Sequence, residues 1–330
     1  MPDDASPLGP ALQAVRRVEV VVNSASGGVD PGAAAALSAA LDARGVSANV
    51  VDAKPEEVAR ALQAAVDAGP DLLMVLAGDG TARLACELAG AKDIPVAPLP
   101  GGTMNLLPFA LFGRRPWREA LSELLDRGEI KPVSGGEVAG HVFFCGALLG
   151  TPAMWQPARE ALRKGRLRRA WRRARFALDR AFLRRVRFRL DGGPERKARA
   201  ISIMCPLVSR AMADDNALDV AALDPAGAGE AIRLGARTLL ADFLGDWRED
   251  PAVDAASARD IRLVSRHRAP ALLDGEMHRI PAGSTIRYRP AAFRAVFLPE
   301  VDPHEATAGD RHKAELGAAA GAGAGQAAAG

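Results

Sequence analysis

In "LMVLAGDGTARLACELAG", residues 73–90, an apolar run ends at Ala77, a carboxylate stands between two glycines, and a helical pattern begins at once. A buried strand that feeds directly into a helix is half of a parallel βαβ unit. Gly78 and Gly80 lack the Cβ atoms that would block close approach. Thr81 is expected to cap the following helix, whose first N–H groups then face whatever binds at the strand end. A carboxylate here repels phosphate unless a divalent cation lies between them, and Mg²⁺ commonly bridges carboxylate and phosphate oxygens. Asp79 is therefore a candidate metal- or phosphate-site residue. The alternative is a turn in which Asp79 only caps a helix.

Outward from this stretch the first half alternates. "VEVVVN" (18–23), "VSANVVD" (46–52), "DLLMVLA" (71–77) and "IPVAPLP" (94–100) are predicted strands. Helices are predicted over residues 31–43, opened by Asp30 as N-cap, over 55–68, and after Thr81. Such alternation implies a parallel α/β sheet with ligands at the carboxyl ends of its strands. Two more glycine-bearing segments lie at those ends. In "NSASGG" (23–28) small residues let backbone N–H groups approach a phosphate, and Ser24 and Ser26 add hydroxyls; a plain Gly/Ser turn reads equally well. In "PLPGGTMNLLP" (98–108), Gly101 and Gly102 allow backbone approach while Thr103 and Asn105 offer side-chain hydrogen bonds. Three such segments, in order and at strand ends, say more than any one of them.

The second half changes rhythm. "EVAGHVFFCGALL", "RVRFRLDGG", "ARAISIMCPLV", "ALDVAAL", "DIRLVS", "TIRYRP" and "FRAVFLP" are short strand candidates with Gly, Pro or Asp near many of them, the pattern of an antiparallel sandwich. The expected division is a disordered segment over 1–17, an α/β nucleotide domain over 18–130, an all-β sandwich domain over 131–300, and a disordered Ala/Gly-rich tail over 301–330. "DDNALD" reads as an acidic turn or a cation site, and "LDGE" (273–276) as a hairpin turn that can also present Glu276 to a cleft. The residue types alone favour the turn in both.

Composition sets outer bounds. The chain has 330 residues, 48% of them hydrophobic and 25% charged, with a net charge of only +3, which gives no reason to expect a general nucleic-acid binder. The best apolar runs, such as "VFFCGALLG", fall short of the ~20 residues of a membrane span. The start lacks the apolar core of a secretory signal. Cys86, Cys145 and Cys205 are spread through apolar runs, as reduced core residues are. A cytoplasmic protein is expected. One segment departs from this ordinary balance. Residues 159–189 hold 13 Arg and one Lys, with Leu167, Trp171, Ala174, Leu178 and Phe182 at helical spacing. A basic helix over 155–185 is expected to lie on an anionic membrane surface. A stripe packed on the sandwich with solvated arginines is the bland alternative, and no aromatic platform for bases accompanies the charge. No nucleic-acid partner is expected, and a homodimer is open.

These motifs together resemble the bacterial diacylglycerol kinase-like lipid kinases, the superfamily that also holds sphingosine and ceramide kinases. "NSASGG" is similar to their N-P-x-S-G loop, "AGDGT" to G-G-D-G-T, "PGGTMN" to G-T-x-N, "DDNALDV" to D-D-G-x-L-D-V, and "LDGE" to the late D-G-E. The resemblance covers roughly residues 18–298. It implies an ATP- and Mg²⁺-dependent lipid kinase, a phosphotransferase with an alcohol acceptor, acting in phospholipid biosynthesis from the inner membrane surface. ATP would contact Asn23, Ser26, Gly27, Ala77, Gly78, Asp79, Gly80, Thr81, Gly102, Thr103 and Asn105. Asp215, with the carbonyls of Met212 and Ala217, would hold a structural Mg²⁺. Glu276 would accept the proton of the lipid hydroxyl (diacylglycerol, ceramide or sphingoid), with Asp274 beside it and Asp79 as the third catalytic carboxylate. Ser24, Ala77, Arg83 and Asn216 depart from the family pattern, Arg83 standing where asparagine is usual. The rivals are an NAD kinase-like enzyme and a non-catalytic nucleotide- or lipid-binding regulator.

Overall fold

The computed structural model describes Gly9 and residues 12–150, 185–209, 216–224, 253–265 and 267–299. The expected basic helix, Met212, Asp215 and the tail lie outside the described residues. The first half runs β1 (Arg17–Val22), α1 (Ala33–Asp42), β2 (Ser47–Asp52), α2 (Val58–Asp67), β3 (Leu72–Ala77), α3 (Asp79–Gly90) and β4 (Val96–Pro100), then α4 (Leu106–Phe112) and α5 (Trp117–Arg127). Its strands pair in parallel in the order β2-β1-β3-β4. All six residues of β3 are buried, whereas the edge strand β2 is largely open. A strand covered on both faces carries a continuous apolar run, which is why Leu72–Ala77 shows no alternation.

The remaining strands are β5 (Glu129–Val138), β6 (His141–Phe143), β7 (Gly146–Gly150), β8 (Val186–Leu190), β9 (Arg196–Ala198), β10 (Ala200–Met204), β11 (Leu218–Leu223), β12 (Val253–Ala258), β13 (Asp260–Leu263), β14 (Ala269–Leu273), β15 (Glu276–Ile280) and β16 (Thr285–Phe297). Six of them form an antiparallel sheet ordered β12-β11-β10-β7-β14-β15. The others extend the first sheet as β4-β16-β13-β8-β9, with β5 on β16 and β6 on β5. Phe143, Phe188, Ile201, Ile203, Leu218, Ile261 and Leu273 fill the space between the two sheets. The molecule is an α/β domain followed by an all-β sandwich, and one mixed sheet runs through both.

That shared sheet corrects the boundary expected at residue 130. β16 pairs with β5 along most of its length, shifts register between Arg289 and Phe293, and joins β4 in parallel at Ala295 and Val96. Phe293, Ala295, Val296 and Leu298 lie in the core of the first domain, and "TIRYRP" and "FRAVFLP" are one strand. The N-terminal segment is corrected as well. Leu12 and Val15 are buried in the same core, and the Gly9 N–H donates to the Leu125 carbonyl. Asp30 does not cap α1. Gly32, at φ 83°, precedes the helix, while the Asp30 carboxylate accepts from Trp117 Nε1 at 2.9 Å and Arg118 Nη2 at 2.6 Å. α3 begins two residues before Thr81, with extended Gly78 at its N-cap and no side-chain cap.

Candidate active site

β1, β3 and β4 deliver three loops to one place, and small residues let them touch. Ser26 Oγ accepts the Gly78 N–H at 3.2 Å, and the Gly28 N–H donates to the Gly101 carbonyl at 3.0 Å. A Cβ on Gly102 would stand 2.8 Å from the Gly78 Cα, and one on Gly28 would stand 2.8 Å from the Gly102 carbonyl oxygen. These two glycines serve loop-on-loop packing. Gly27 and Gly80 differ, since the nearest atoms to a Cβ there are Thr103 Oγ1 and Glu276 Oε1, each at 3.8 Å. The open-sided glycines therefore border the cleft.

The third loop is locked by its own asparagine. Asn105 is left-handed (φ 51°) and 7% exposed. Its Oδ1 accepts the Gly102 N–H at 2.7 Å, and its Nδ2 donates to the Gly102 carbonyl at 3.0 Å. Asp79 ties this loop to α3: one carboxylate oxygen accepts the Asn105 N–H at 2.9 Å, the other the Leu106 N–H at 2.8 Å. Asp79 thus caps α4 from the first turn of α3, placing a carboxylate where the orphan N–H groups of a helix start need an acceptor. The sequence allowed a capping role but not one for a helix 27 residues onward. Ser24 Oγ hydrogen-bonds Asp52 at 2.7 Å, and Asn23 Oδ1 accepts the Ala25 N–H at 3.1 Å. The first bond holds the loop against β2, and the second closes a turn within the loop. Among the described residues, the N–H groups of Gly27, Asp79, Gly80 and Thr103 make no hydrogen bond to protein, so two donors at the start of α3 and one on each flanking loop remain for a ligand.

The hairpin between β14 and β15 reaches this place from the second domain. Asp274 (φ 45°) and Gly275 (φ 85°) form its turn with two positive φ values, as an Asp-Gly hairpin requires. The Asp274 carboxylate accepts the N–H groups of Phe144, Cys145 and Gly146 at 2.7–2.9 Å. Burial pushes its carboxyl above the usual range despite those three donors. Asp274 is a clasp between the hairpin and the start of β7, with its oxygens facing backbone amides. Glu276 opens β15 and remains partly open to solvent. Its Oε2 accepts from Arg83 Nη2 at 2.8 Å, and Arg83 Nη1 donates to Glu87 at 2.7 Å. Burial disfavours the charge on the Arg83 guanidinium, yet the two carboxylates raise its pKa above the ordinary arginine value.

Sequence reasoning missed the pairing of Arg83 with Glu276. His278 is half-buried, with Nε2 3.9 Å from Glu276 Oε2 and its ring centroid 4.4 Å from that of His141. Burial, reinforced by His141, lowers its pKa. Its alternation with Glu276 on one strand face was the available signal. The three cysteines are free, and burial raises each thiol pKa well above the ordinary value. Ala217 is buried just before β11, as the described member of the expected Mg²⁺ set.

The sequence profile of the diacylglycerol kinase catalytic domain matches residues 17–138. Over those residues the first domain is similar to that catalytic domain. The match ends at the last residue of β5. No curated protein matches the chain. Among solved structures the chain is similar to a diacylglycerol kinase from Bacillus anthracis str. Sterne, at 17% identity over 87% of this chain and 99% of that one, with a TM-score of 0.63. It is also similar to a second structure from that organism, described provisionally as a diacylglycerol kinase, at 18% identity over 87% and 99% with a TM-score of 0.65. At such identity the likeness to the solved structures is one of fold. Among the described residues, no helix is long and apolar enough to cross a membrane.

Proposed function

We propose that this protein is a lipid kinase that transfers the γ-phosphate of ATP to the hydroxyl of a membrane lipid. The observation that carries this is the meeting of free N–H groups at the start of α3 with a carboxylate, Glu276, delivered from the other domain. A helix start with unfilled donors suits a polyphosphate. A carboxylate opposite it suits the removal of a proton from an alcohol. The diacylglycerol kinase catalytic domain and the fold of its structural relatives agree with that division of labour.

In this mechanism the lipid hydroxyl oxygen attacks the γ-phosphorus in line with the departing β–γ bridging oxygen. The new oxygen–phosphorus bond forms as the bridging bond breaks, ADP leaves with that electron pair, and Glu276 takes the hydroxyl proton. The N–H groups of Gly27, Asp79, Gly80 and Thr103 steady phosphate oxygens. Asp79 and Asn105 hold the cradle in shape. The catalytic-domain family implies a divalent metal as well as ATP. Among the described residues, no cluster of three His, Cys, Asp or Glu side chains is placed to hold one, and both Asp79 oxygens already accept backbone N–H groups. Met212 and Asp215 of the expected Mg²⁺ set lie outside the described residues. Peripheral attachment to an anionic membrane through the arginine-rich segment would bring the acceptor within reach.

Purified protein incubated with γ-labelled ATP, magnesium chloride and micelles of a total lipid extract should place label in a lipid, and the labelled species identifies the acceptor. Label in NAD when that is supplied instead, or ATP binding with no transfer to any lipid, would overturn the proposal.

A further inference from the structure

Arg83 stands one helical turn beyond the Gly78–Thr81 loop, with its side chain 15% exposed, and Glu276 lies over it at 45%. Its two terminal nitrogens are divided between two carboxylates: Nη1 to Glu87 on the same helix at 2.7 Å, and Nη2 to Glu276 Oε2 at 2.8 Å. A planar guanidinium pinned at two points cannot turn freely, so the first domain sets where Glu276 Oε2 must sit. The other oxygen has a different neighbourhood. Among the described residues Glu276 Oε1 accepts no hydrogen bond, and it lies 3.8 Å from where a Cβ on Gly80 would be. His278 Nε2, 3.9 Å from Oε2, is too far to hydrogen-bond it.

We infer that Arg83 is the positioning residue for Glu276, gripping Oε2 so that Oε1 is held over Gly80 at the start of α3, where the transferring phosphate and the acceptor hydroxyl must meet. The inference rests on the kinase mechanism proposed above and adds to it a residue that links the two domains. A glutamate at the start of an edge strand has three rotatable bonds, and unheld it spreads over several rotamers. A misplacement of about 1 Å in a reacting group can cost ~10²-fold in rate. Arg83 removes that freedom without touching the oxygen that accepts the proton.

The test compares the full-length protein with Arg83→Gln, Arg83→Lys, Glu276→Gln and the double variant Arg83→Gln/Glu276→Gln. All are assayed with γ-labelled ATP, magnesium chloride and micelles of a total lipid extract, with circular dichroism to confirm folding. Arg83→Gln should lower kcat by roughly 10–10²-fold with the KM for ATP within about twofold. Lysine can reach a single carboxylate oxygen, so Arg83→Lys should recover much of the loss. The double variant should be no slower than Glu276→Gln alone, because a carboxylate that is gone cannot be misaimed. Multiplying losses in the double variant, a raised KM with unchanged kcat, or no recovery by lysine would each overturn the positioning role while leaving Glu276 as the base. Full activity in Glu276→Gln would instead remove the base itself, and with it the inference. If Arg83→Gln fails to fold, the lysine variant decides alone: a kcat near wild type upholds the role, and a loss as deep as that of Glu276→Gln removes it.

Discussion

Two carboxylates border the start of α3, and they are held in opposite ways. Asp79, from the helix itself, has one backbone N–H on each oxygen. Glu276, from the far domain, has one oxygen gripped by Arg83 and the other uncommitted among the described residues. A carboxylate filled on both sides shapes its surroundings. One filled on a single side can still exchange a proton. The glycine-flanked Asp79 draws the eye in the sequence, yet in the structure it braces the cradle, and the carboxylate with an uncommitted oxygen comes from a plain hairpin almost two hundred residues later.

The sharpest break of this contrast is Glu276→Gln. It should lower kcat by about 10²–10⁴-fold while melting temperature stays close to wild type, since the side chain is partly solvated. Label transfer and thermal unfolding, measured on the same preparation, decide it. Gly102→Ala tests the brace side. A methyl 2.8 Å from the Gly78 Cα forces backbone to move, and the expected loss is roughly 1–3 kcal/mol of stability, read from denaturant unfolding. Asp79→Asn keeps one acceptor and loses the charge. It should cost about 1–2 kcal/mol, with label transfer falling in parallel as the Gly102–Asn105 loop loosens; normal stability with lost transfer would return Asp79 to the chemistry. Gly80→Ala should do the reverse, gaining up to ~1 kcal/mol of helix stability while its methyl, 3.8 Å from Glu276 Oε1, impedes transfer.

The smallest effect concerns acid. The N–H groups of Arg16 and Arg17 hold the Asp71 carboxyl below its ordinary range. A depressed folded pKa means stability present above the unfolded value and lost as pH falls through the folded one. Burial raises the Asp274 carboxyl, so its charged form disfavours the fold at neutral pH, and that penalty is relieved as pH falls through the raised value. In pH-dependent melting, Asp71→Asn should flatten the acid-side loss of stability. Replacing Asp274 by Asn should act on the pH dependence with the opposite sign.

Much of the first domain was legible because its signals are local. The buried runs of β1 and β3, the glycine-bearing strand ends and the Asp-Gly hairpin turn each fit within a dozen residues. What the sequence hid was pairing at a distance. Arg83 and Glu276 are 193 positions apart, and nothing in "GDGTAR" indicates that its arginine will meet "LDGE". The amides that fill Asp79 belong to Asn105 and Leu106, and backbone amides leave no trace in residue type. β12, "VDAASA", has one β-branched residue and no aromatic one to advertise a strand, because an edge strand buries little. The N-terminal segment looked free because two apolar residues, Leu12 and Val15, are too few to show a period. The double membership of β16 was hidden by the proline at its centre, which reads as a break between two strands.

β16 also has a consequence for how the protein is made. The edge of β4 that it covers is synthesised roughly 200 residues before β16 itself, so at about 5–20 residues per second a ribosome leaves that edge unpartnered for ~10–40 s. Throughout that interval the nascent catalytic domain lacks Phe293, Ala295, Val296 and Leu298 from its core and displays an open strand edge to every other chain nearby. The first domain, although translated first, cannot close until the strands of the second have been made.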